Sequence, residues 1–160
     1  MSSGSVTISL PGPEATCNLA RAIGAALAPG DAILLSGDTG AGKTHFCRCL
    51  IQSLLAAPED VPSPTFTLVQ TYDTPSGEIW HADLYRLGDT TELAELGLSD
   101  AFATAISLVE WPDRLGSLAP ANALGLELTA GDDPEARTAR LSWSHGKWQD
   151  ILSRAQIDAT

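Results

Sequence analysis

The sequence predicts one α/β domain over residues 1–160, with a central sheet of mixed parallel and antiparallel strands flanked by helices. Two observations lead to this prediction. Short apolar runs alternate with amphipathic helical patterns in the first part of the chain, which is typical of strands covered by helices. β-rich segments separated by turn residues follow, which is typical of hairpins. With 160 residues, 44% of them hydrophobic, the chain suits a single core.

The N-terminal part of the sequence predicts a strand, a helix and a second strand. "VTISL" alternates like a short strand, and "PGPEATCNLARAIGAAL" follows with Pro13 near a helix start. Pro29 and Gly30 end that helical pattern. "AILLSG" is a continuous apolar run of the kind buried on both faces of a sheet. It therefore predicts a central strand that delivers the chain into a glycine-rich turn.

Two hairpins are predicted farther along. "VPSPTFTLVQTYDT" and "GEIWHADLYRL" flank the turn residues "TPSG". "ALGLELTA" and "RTARLSW" flank "GDDPEA" in the same way. Each pair is expected to form two antiparallel strands.

Two further helices complete the prediction. "DTTELAELGLSDAFATA" has helical spacing, a cap at Asp89 or Thr90 and a break near Gly97. "ISLVEW" then returns to a buried strand. An amphipathic helix over about 147–157 ends the chain.

Charge and composition limit the classes of function. The chain has 20 acidic and 9 basic side chains, a net charge of −11, which disfavours direct attraction to a nucleic acid backbone. If RNA takes part, a partner is expected to hold it. No apolar run approaches the roughly 18 residues of a bilayer span, and no basic start precedes a long apolar stretch. We expect a cytoplasmic protein that does not cross a membrane.

The cysteines and histidines suggest no separate chemistry. Cys17, Cys47 and Cys49 are odd in number and form no C-x-x-C pair, so reduced and mostly buried thiols are expected. His45 and Cys49 are four residues apart, but no further ligand is visible, so a solvated helix face is expected rather than a metal site. His81 and His145 are interpreted as structural.

The glycine-rich turn carries the strongest functional signal. Gly37, Gly42, Lys43 and Thr44 satisfy G-x-x-x-x-G-K-[ST], and an apolar helical stripe follows. This loop wraps its backbone N–H groups around a phosphate at a helix N-terminus. Lys43 would reach the β- and γ-phosphates, and the Thr44 hydroxyl would ligate Mg²⁺. The fold prediction is thereby refined to a P-loop NTPase-like domain.

A phosphate loop of this kind needs an acidic residue nearby to help hold Mg²⁺ or to orient water. Glu110 ends the buried strand "ISLVE" and fits that role, although it could also be an ordinary solvated carboxylate. Asp83, in "HADLYR", is the second candidate and could instead cap a turn. Thr65 lies between stiffening prolines in "SPTF", where its hydroxyl could sense a γ-phosphate.

Taken together, the motifs resemble one bacterial family. "GDTGAGKT", "SPTFTLV", "HADLYRL", "ELGL" and "VEWPDRL" occur in the order and approximate spacing of the TsaE family. The resemblance runs from about the first helix to "ALGLEL". The segments "SPTFTLV", "DLYR" and "EWP" are specific, whereas the phosphate loop alone is not.

The resemblance implies a P-loop ATPase that uses ATP and Mg²⁺, is weak alone and is stimulated by the partner proteins TsaD and TsaB. Those partners would hold the tRNA and carry out threonylcarbamoyl transfer to adenosine 37 of ANN-decoding tRNAs. The implied catalytic residues are Lys43, Asp83 and Glu110, with Thr44 and Glu110 at Mg²⁺. The implied nucleotide-binding residues are Gly37, Asp38, Gly40, Ala41, Gly42, Lys43, Thr44, His45, Thr65 and Trp111.

The chain departs from the family pattern at two positions. His45 stands where the family commonly has a second threonine, and Thr39 stands where it often has leucine. Backbone N–H groups make the phosphate contacts, so the loop should tolerate Thr39.

Other functions remain open from the residues alone. A small-molecule or nucleoside kinase shares this loop and size, but such enzymes usually gather several arginines over the transferred group. A third hypothesis is a nucleotide-dependent binding module that does not hydrolyse the nucleotide. A GTPase is disfavoured because the sequence has no N-K-x-D segment.

Overall fold

The structure is a computed structural model that describes residues 3–37, 42–64, 67–87, 96–155 and 157. In that part the strands are β1 (Gly4–Leu10), β2 (Ala32–Ser36), β3 (Val69–Thr74), β4 (Gly77–Asp83), β5 (Ile106–Glu110), β6 (Leu124–Ala130) and β7 (Arg137–Trp143). The helices are α1 (Pro13–Gly24), α2 (Lys43–Leu54), α3 (Leu98–Thr104) and α4 (Lys147–Arg154), with a 3₁₀ segment at Pro112–Leu118.

All seven strands join one sheet in the order β1-β7-β6-β2-β5-β4-β3. The central strand β2 is parallel to β5 and β6, and β4 is parallel to β5. The outer pairs are antiparallel, including the two predicted hairpins β3–β4 and β6–β7. The predicted α/β fold with a mixed sheet is therefore confirmed.

The parallel centre places three strand ends together. In the sheet register Leu35 of β2 lies beside Glu110 of β5, and Glu110 lies beside Asp83 of β4. Because parallel strands share a direction, their carboxyl ends meet at one edge. Ligands of open α/β sheets commonly bind outside this edge.

The apolar residues of β5 pack on both faces of the sheet. Every residue of β5 is buried. Leu108 packs into a large cluster with α1 and α2, whereas its neighbour Val109 packs into a smaller one with Leu98 and Leu115. Successive strand side chains point to opposite faces, so helical layers cover both sides.

Helices α1 and α2 pack on each other and on the sheet. Leu19 and Ile23 of α1 and Phe46 and Leu50 of α2 are buried in the larger cluster. Burying a side chain of this size contributes about 1.5–3 kcal/mol. This packing fixes the start of α2, and therefore the end of the glycine-rich turn, against the sheet.

The helix boundaries differ from the predictions in two places. Helix α1 ends at Gly24, before the predicted stop at Pro29 and Gly30. Helix α4 ends at Arg154 rather than 157, because the Ile157 amide turns back to donate to the Leu152 carbonyl at 2.8 Å. The break near Gly97 is confirmed by its φ of 82° before α3. The predicted caps Asp89 and Thr90 lie outside the described residues.

No helix in the described part of the chain has the length and hydropathy needed to cross a membrane, and the longest have 12 residues.

The expectation of three reduced cysteines is wrong. Cys17 of α1 and Cys49 of α2 form a disulfide, with Cα atoms 5.3 Å apart. Cys47 is free and buried. The two bonded residues are 32 positions apart in sequence, and only the packing of α1 on α2 brings them together. Cysteine number and spacing could not reveal such a tertiary contact.

Candidate functional site

The ends of the glycine-rich turn meet at the carboxyl edge of the sheet. Gly37 follows β2, and Gly42 precedes α2 with a φ of 103°, a left-handed conformation that favours glycine. The buried Lys43 ammonium donates to the Gly37 carbonyl oxygen, so the two ends of the turn are tied together. Asp38, Gly40 and Ala41, three predicted binding residues of the turn, and Thr65 of "SPTF" lie outside the described residues.

Helix α2 starts at this turn and provides an anion-binding end. The first turn of an α-helix leaves backbone N–H groups without intrahelical acceptors, and the helix dipole adds partial positive charge there. Lys43 is the first residue of α2 and places a full positive charge at the same point. Phosphate is the ligand that such an arrangement favours.

Thr44 and Glu110 are brought into direct contact. The Thr44 hydroxyl donates to Oε1 of Glu110 at 2.8 Å, and the carboxylate is 2% exposed. The alternative of a solvated strand-end carboxylate is therefore wrong for Glu110. A hydroxyl and a carboxylate supply hard oxygen donors, which suit Mg²⁺. The donor set fits the divalent cation that the sequence implies.

His81, which was interpreted as structural from the sequence, is part of the site. Its Nε2 lies 2.7 Å from Oε2 of Glu110, and the histidine is completely buried. Its Nδ1 has no hydrogen-bond partner among the described residues. The signal was present in the sequence, because strand alternation puts His81 on the same face as Asp83. The contact with Glu110 itself required the β4–β5 pairing.

Asp83 ends β4 beside Glu110 and is 5% exposed. Its Oδ1 accepts a hydrogen bond from the Tyr85 backbone N–H at 3.0 Å. Asp83 therefore lies at a strand end and also caps the turn that follows it.

The two carboxylates make the surroundings electronegative. Burial raises the pKa of the Cys47 thiol well above its ordinary value, and the charges of Glu110 and Asp83 raise it further. Arg48 opposes that effect. Burial disfavours a charge of either sign, so only the contribution of the two carboxylates marks these surroundings as electronegative.

Trp111 lies across Lys43. Its backbone N–H donates to the Leu35 carbonyl at 3.2 Å, and its φ of 59° is uncommon outside glycine. The Lys43 ammonium is 4.1 Å from the centroid of the Trp111 indole ring. The centroids of the Tyr85 and Trp111 rings are 4.9 Å apart. The turn after β5 thus aims an aromatic face at the lysine, in a cation–π contact.

His45 lies on a different face of α2. It lines a cleft of 280 Å³ with Gly42, Thr16, Pro134 and Arg137 among others. Its Nε2 donates to the Pro13 carbonyl at 3.0 Å and lies 3.8 Å from Sγ of Cys49. The expectation of a simply solvated face for His45 and Cys49 is wrong, because α1 covers part of it.

The chain is similar to proteins of one known family. The family model for "Threonylcarbamoyl adenosine biosynthesis protein TsaE" matches residues 10–139. A tRNA threonylcarbamoyladenosine biosynthesis protein TsaE from Rickettsia bellii is 42% identical over 120 residues, 75% of this chain and 83% of that protein. The protein of the same name from Bacillus subtilis is 37% identical over 123 residues, 76% of each chain.

A solved structure shares the fold. The crystal structure of Bacillus subtilis YdiB superimposes with a TM-score of 0.80 at 24% identity, covering 98% of this chain and 97% of that one. The match of the family model over most of the chain, together with relatives at 37–42% identity, decides the assignment. The chain belongs to the TsaE family of tRNA threonylcarbamoyladenosine biosynthesis.

Proposed function

We propose that this protein binds ATP with Mg²⁺ and hydrolyses it in the cytoplasm as a subunit that acts with TsaD and TsaB. Those partners would hold the tRNA and transfer the threonylcarbamoyl group to adenosine 37 of ANN-decoding tRNAs. The observation that carries the proposal is the contact between the Thr44 hydroxyl and the buried Glu110 carboxylate, directly beside Lys43 at the start of α2.

Lys43 and the N-terminus of α2 would bind the phosphates. The Lys43 ammonium donates to the Gly37 carbonyl and lies over the Trp111 ring. These contacts hold the lysine at the turn rather than in solvent. A bound phosphate would compete for the same ammonium with a stronger, charge-assisted hydrogen bond.

Thr44 and Glu110 would hold Mg²⁺. When bound, the cation would supply positive charge that offsets the charge developing on the phosphoryl oxygens. The protein's own contribution is orientation. His81 occupies Oε2 of Glu110, which leaves Oε1 directed at Thr44. Glu110 is therefore suited to the cation rather than to water.

Asp83 would orient the attacking water. Its carboxylate lies next to Glu110 at the same sheet edge, and the Tyr85 amide fixes one of its oxygens. A carboxylate held in this way can accept a hydrogen bond from water and align it in line with the γ-phosphate. We propose in this way different roles for the two acids, which the sequence alone left open.

The adenosine part of ATP would lie in the cleft beside Gly42. This cleft of 280 Å³ adjoins the end of the phosphate loop and includes His45, Pro134 and Arg137 in its wall. It has room for a base next to the phosphate position. His45 would then contact the nucleoside rather than the phosphates.

The proposal is tested by hydrolysis with and without partners. ATP turnover is measured for the wild type and Lys43→Ala, each alone and with TsaD, TsaB and substrate tRNA. Lys147→Ala is the matched control, because Lys147 is the chain's other lysine and pairs with Asp31 at the opposite end of β2. We expect partner-stimulated turnover that is lost in Lys43→Ala and kept in Lys147→Ala.

Three experimental outcomes would contradict the proposal. Transfer of phosphate to an added nucleoside without partners would support the kinase alternative. Partner binding that requires ATP but is accompanied by no turnover would support a binding module. Turnover that survives Lys43→Ala would remove the assigned role of the phosphate loop.

A further inference from the structure

Two of the three cysteines form a cluster outside the phosphate site. Sγ of Cys17, Sγ of Cys49 and a ring nitrogen of His45 all lie within 4.8 Å of one another. Cys17 is partly exposed, whereas Cys49 is 7% exposed. Cys17 is therefore the more exposed residue of the pair, and a bond joins the two sulfurs.

We propose that Cys17 and Cys49 are a site of reversible thiol–disulfide exchange with a low-molecular-weight thiol of the glutathione class. The proposal rests on the proposed function only in placing the protein in the cytoplasm. Glutathione keeps most thiols reduced there, and the disulfides that do form are usually transient, catalytic or redox-sensing.

His45 makes the two sulfurs of the disulfide unequal as leaving groups. Its Nε2 carries a hydrogen, because the atom bonds the Pro13 carbonyl and a carbonyl can only accept. The same N–H lies 3.8 Å from Sγ of Cys49. An N–H donor beside a sulfur favours its thiolate form. Cys49 is thereby the better leaving group when the disulfide is opened.

The two steps of the exchange reaction then follow a fixed order. A glutathione thiolate attacks Sγ of Cys17, the more exposed of the two residues, a mixed disulfide forms there, and the Cys17–Cys49 bond breaks with its electron pair going to Cys49. A second glutathione thiolate attacks the glutathione sulfur of the mixed disulfide and releases the Cys17 thiolate. Two glutathione molecules are oxidised to one glutathione disulfide, and the protein disulfide gains two electrons and two protons. Oxidation is the reverse reaction.

Cys47 is a built-in control two residues from Cys49. It is completely buried. A thiol that an external thiol cannot reach does not take part in exchange. Exchange should therefore leave Cys47 as a free thiol under the same conditions.

The site adjoins the proposed nucleotide cleft. Thr16, next to Cys17, and His45, one turn before Cys49, both line that cleft. The exchange site therefore lies where α1 meets α2 behind the cleft wall.

The first experiment uses the wild-type chain equilibrated in mixtures of reduced and oxidised glutathione. Free thiols are alkylated, and the cysteine peptides are mapped by mass spectrometry. We expect the fraction of Cys17–Cys49 disulfide to change gradually across the mixtures while Cys47 stays alkylated. A pair that remains a disulfide in a large excess of reduced glutathione would be a fixed structural bond and would overturn the proposal. A pair that remains reduced in excess oxidised glutathione would overturn it equally.

A second experiment tests the order of attack. With oxidised glutathione, Cys49→Ser should trap one glutathionyl group at Cys17, and Cys17→Ser should trap several-fold less at Cys49. Equal or reversed trapping would overturn the assigned order of attack. Zinc that copurifies in equimolar amount with the wild type and is lost in both serine variants would identify a metal site instead. None of these readouts depends on ATP turnover, so a failure here is distinguishable from a failure of ATP hydrolysis.

Discussion

Glu110 and His81 are joined by a contact of 2.7 Å between Oε2 and Nε2, while Oε1 of the same carboxylate accepts the Thr44 hydroxyl. The histidine is 0% and the carboxylate 2% exposed. Two different elements, β4 and α2, therefore fix both oxygens of one side chain. Such an arrangement fixes the orientation of the carboxylate.

The first prediction concerns His81. We expect His81→Leu to lower the free energy of unfolding by about 2–4 kcal/mol, because it leaves a buried carboxylate oxygen without a donor. We also expect it to raise the Mg²⁺ concentration needed for half-maximal ATP hydrolysis. His81→Gln keeps a nitrogen donor and should recover most of both losses. Urea unfolding and Mg²⁺ titration of turnover measure the two effects.

The control for that prediction is His145→Leu, because the His145 side chain is exposed and accepts a hydrogen bond from the Lys147 backbone N–H. We expect a change in stability below about 1 kcal/mol for this variant. A folded His81→Leu protein with wild-type Mg²⁺ dependence would contradict the positioning role.

The second prediction separates the two acids. Glu110→Gln keeps the shape of the side chain but removes its charge, so the Mg²⁺ requirement should rise at least several-fold. Asp83→Asn should instead lower kcat by about 100-fold, the usual effect of losing a group that activates water, with little change in Mg²⁺ requirement. Steady-state kinetics at varied Mg²⁺ measures both. The same phenotype in the two variants would contradict the division of roles.

Local parts of the site were predictable from sequence. The strand β2, the glycine-rich turn and the start of α2 are contiguous, so their order alone places Lys43 and Thr44 at a helix N-terminus. Glu110 was identified because it ends a short apolar run. In each case the signal lies within a few neighbouring residues.

Contacts between distant segments were not predictable. The pairing of β4 with β5 sets His81 near Glu110, but strand order depends on how helices cover the sheet. The Cys17–Cys49 bond likewise depends on α1 lying against α2. Hydrophobic periodicity predicts which face of an element is buried, not which element covers it.

The third prediction concerns the stability effect of the disulfide. The bond closes a segment with a sequence separation of 32, which restricts the unfolded chain and should stabilise the fold by about 3–4 kcal/mol. Urea unfolding with and without reductant measures the difference. The double variant Cys17→Ser/Cys49→Ser should be insensitive to reductant and match the reduced wild type. An equal effect of reductant on both proteins would contradict this origin.

The fourth prediction concerns alkaline pH and Tyr72. This side chain of β3 is 5% exposed, and its hydroxyl has no partner among the described residues. Burial raises the pKa of Tyr72, Glu59 raises it further, and Arg48 opposes them. Below the ordinary tyrosine pKa of about 10, the phenol is neutral in both folded and unfolded chains. Above it, the unfolded chain releases the proton first, so stability falls as pH rises.

Tyr72→Phe removes both the titration and the unpartnered hydroxyl. We expect equal or slightly higher stability at neutral pH, by up to about 1 kcal/mol, and a smaller loss than the wild type above pH of about 10. Tyr85→Phe is the matched control, because it removes the hydroxyl of the chain's other tyrosine at a position that is 50% exposed. Urea unfolding at a series of alkaline pH values provides the comparison. Parallel curves for the wild type and Tyr72→Phe would show that other groups govern alkaline unfolding, since only the phenol differs between these two proteins.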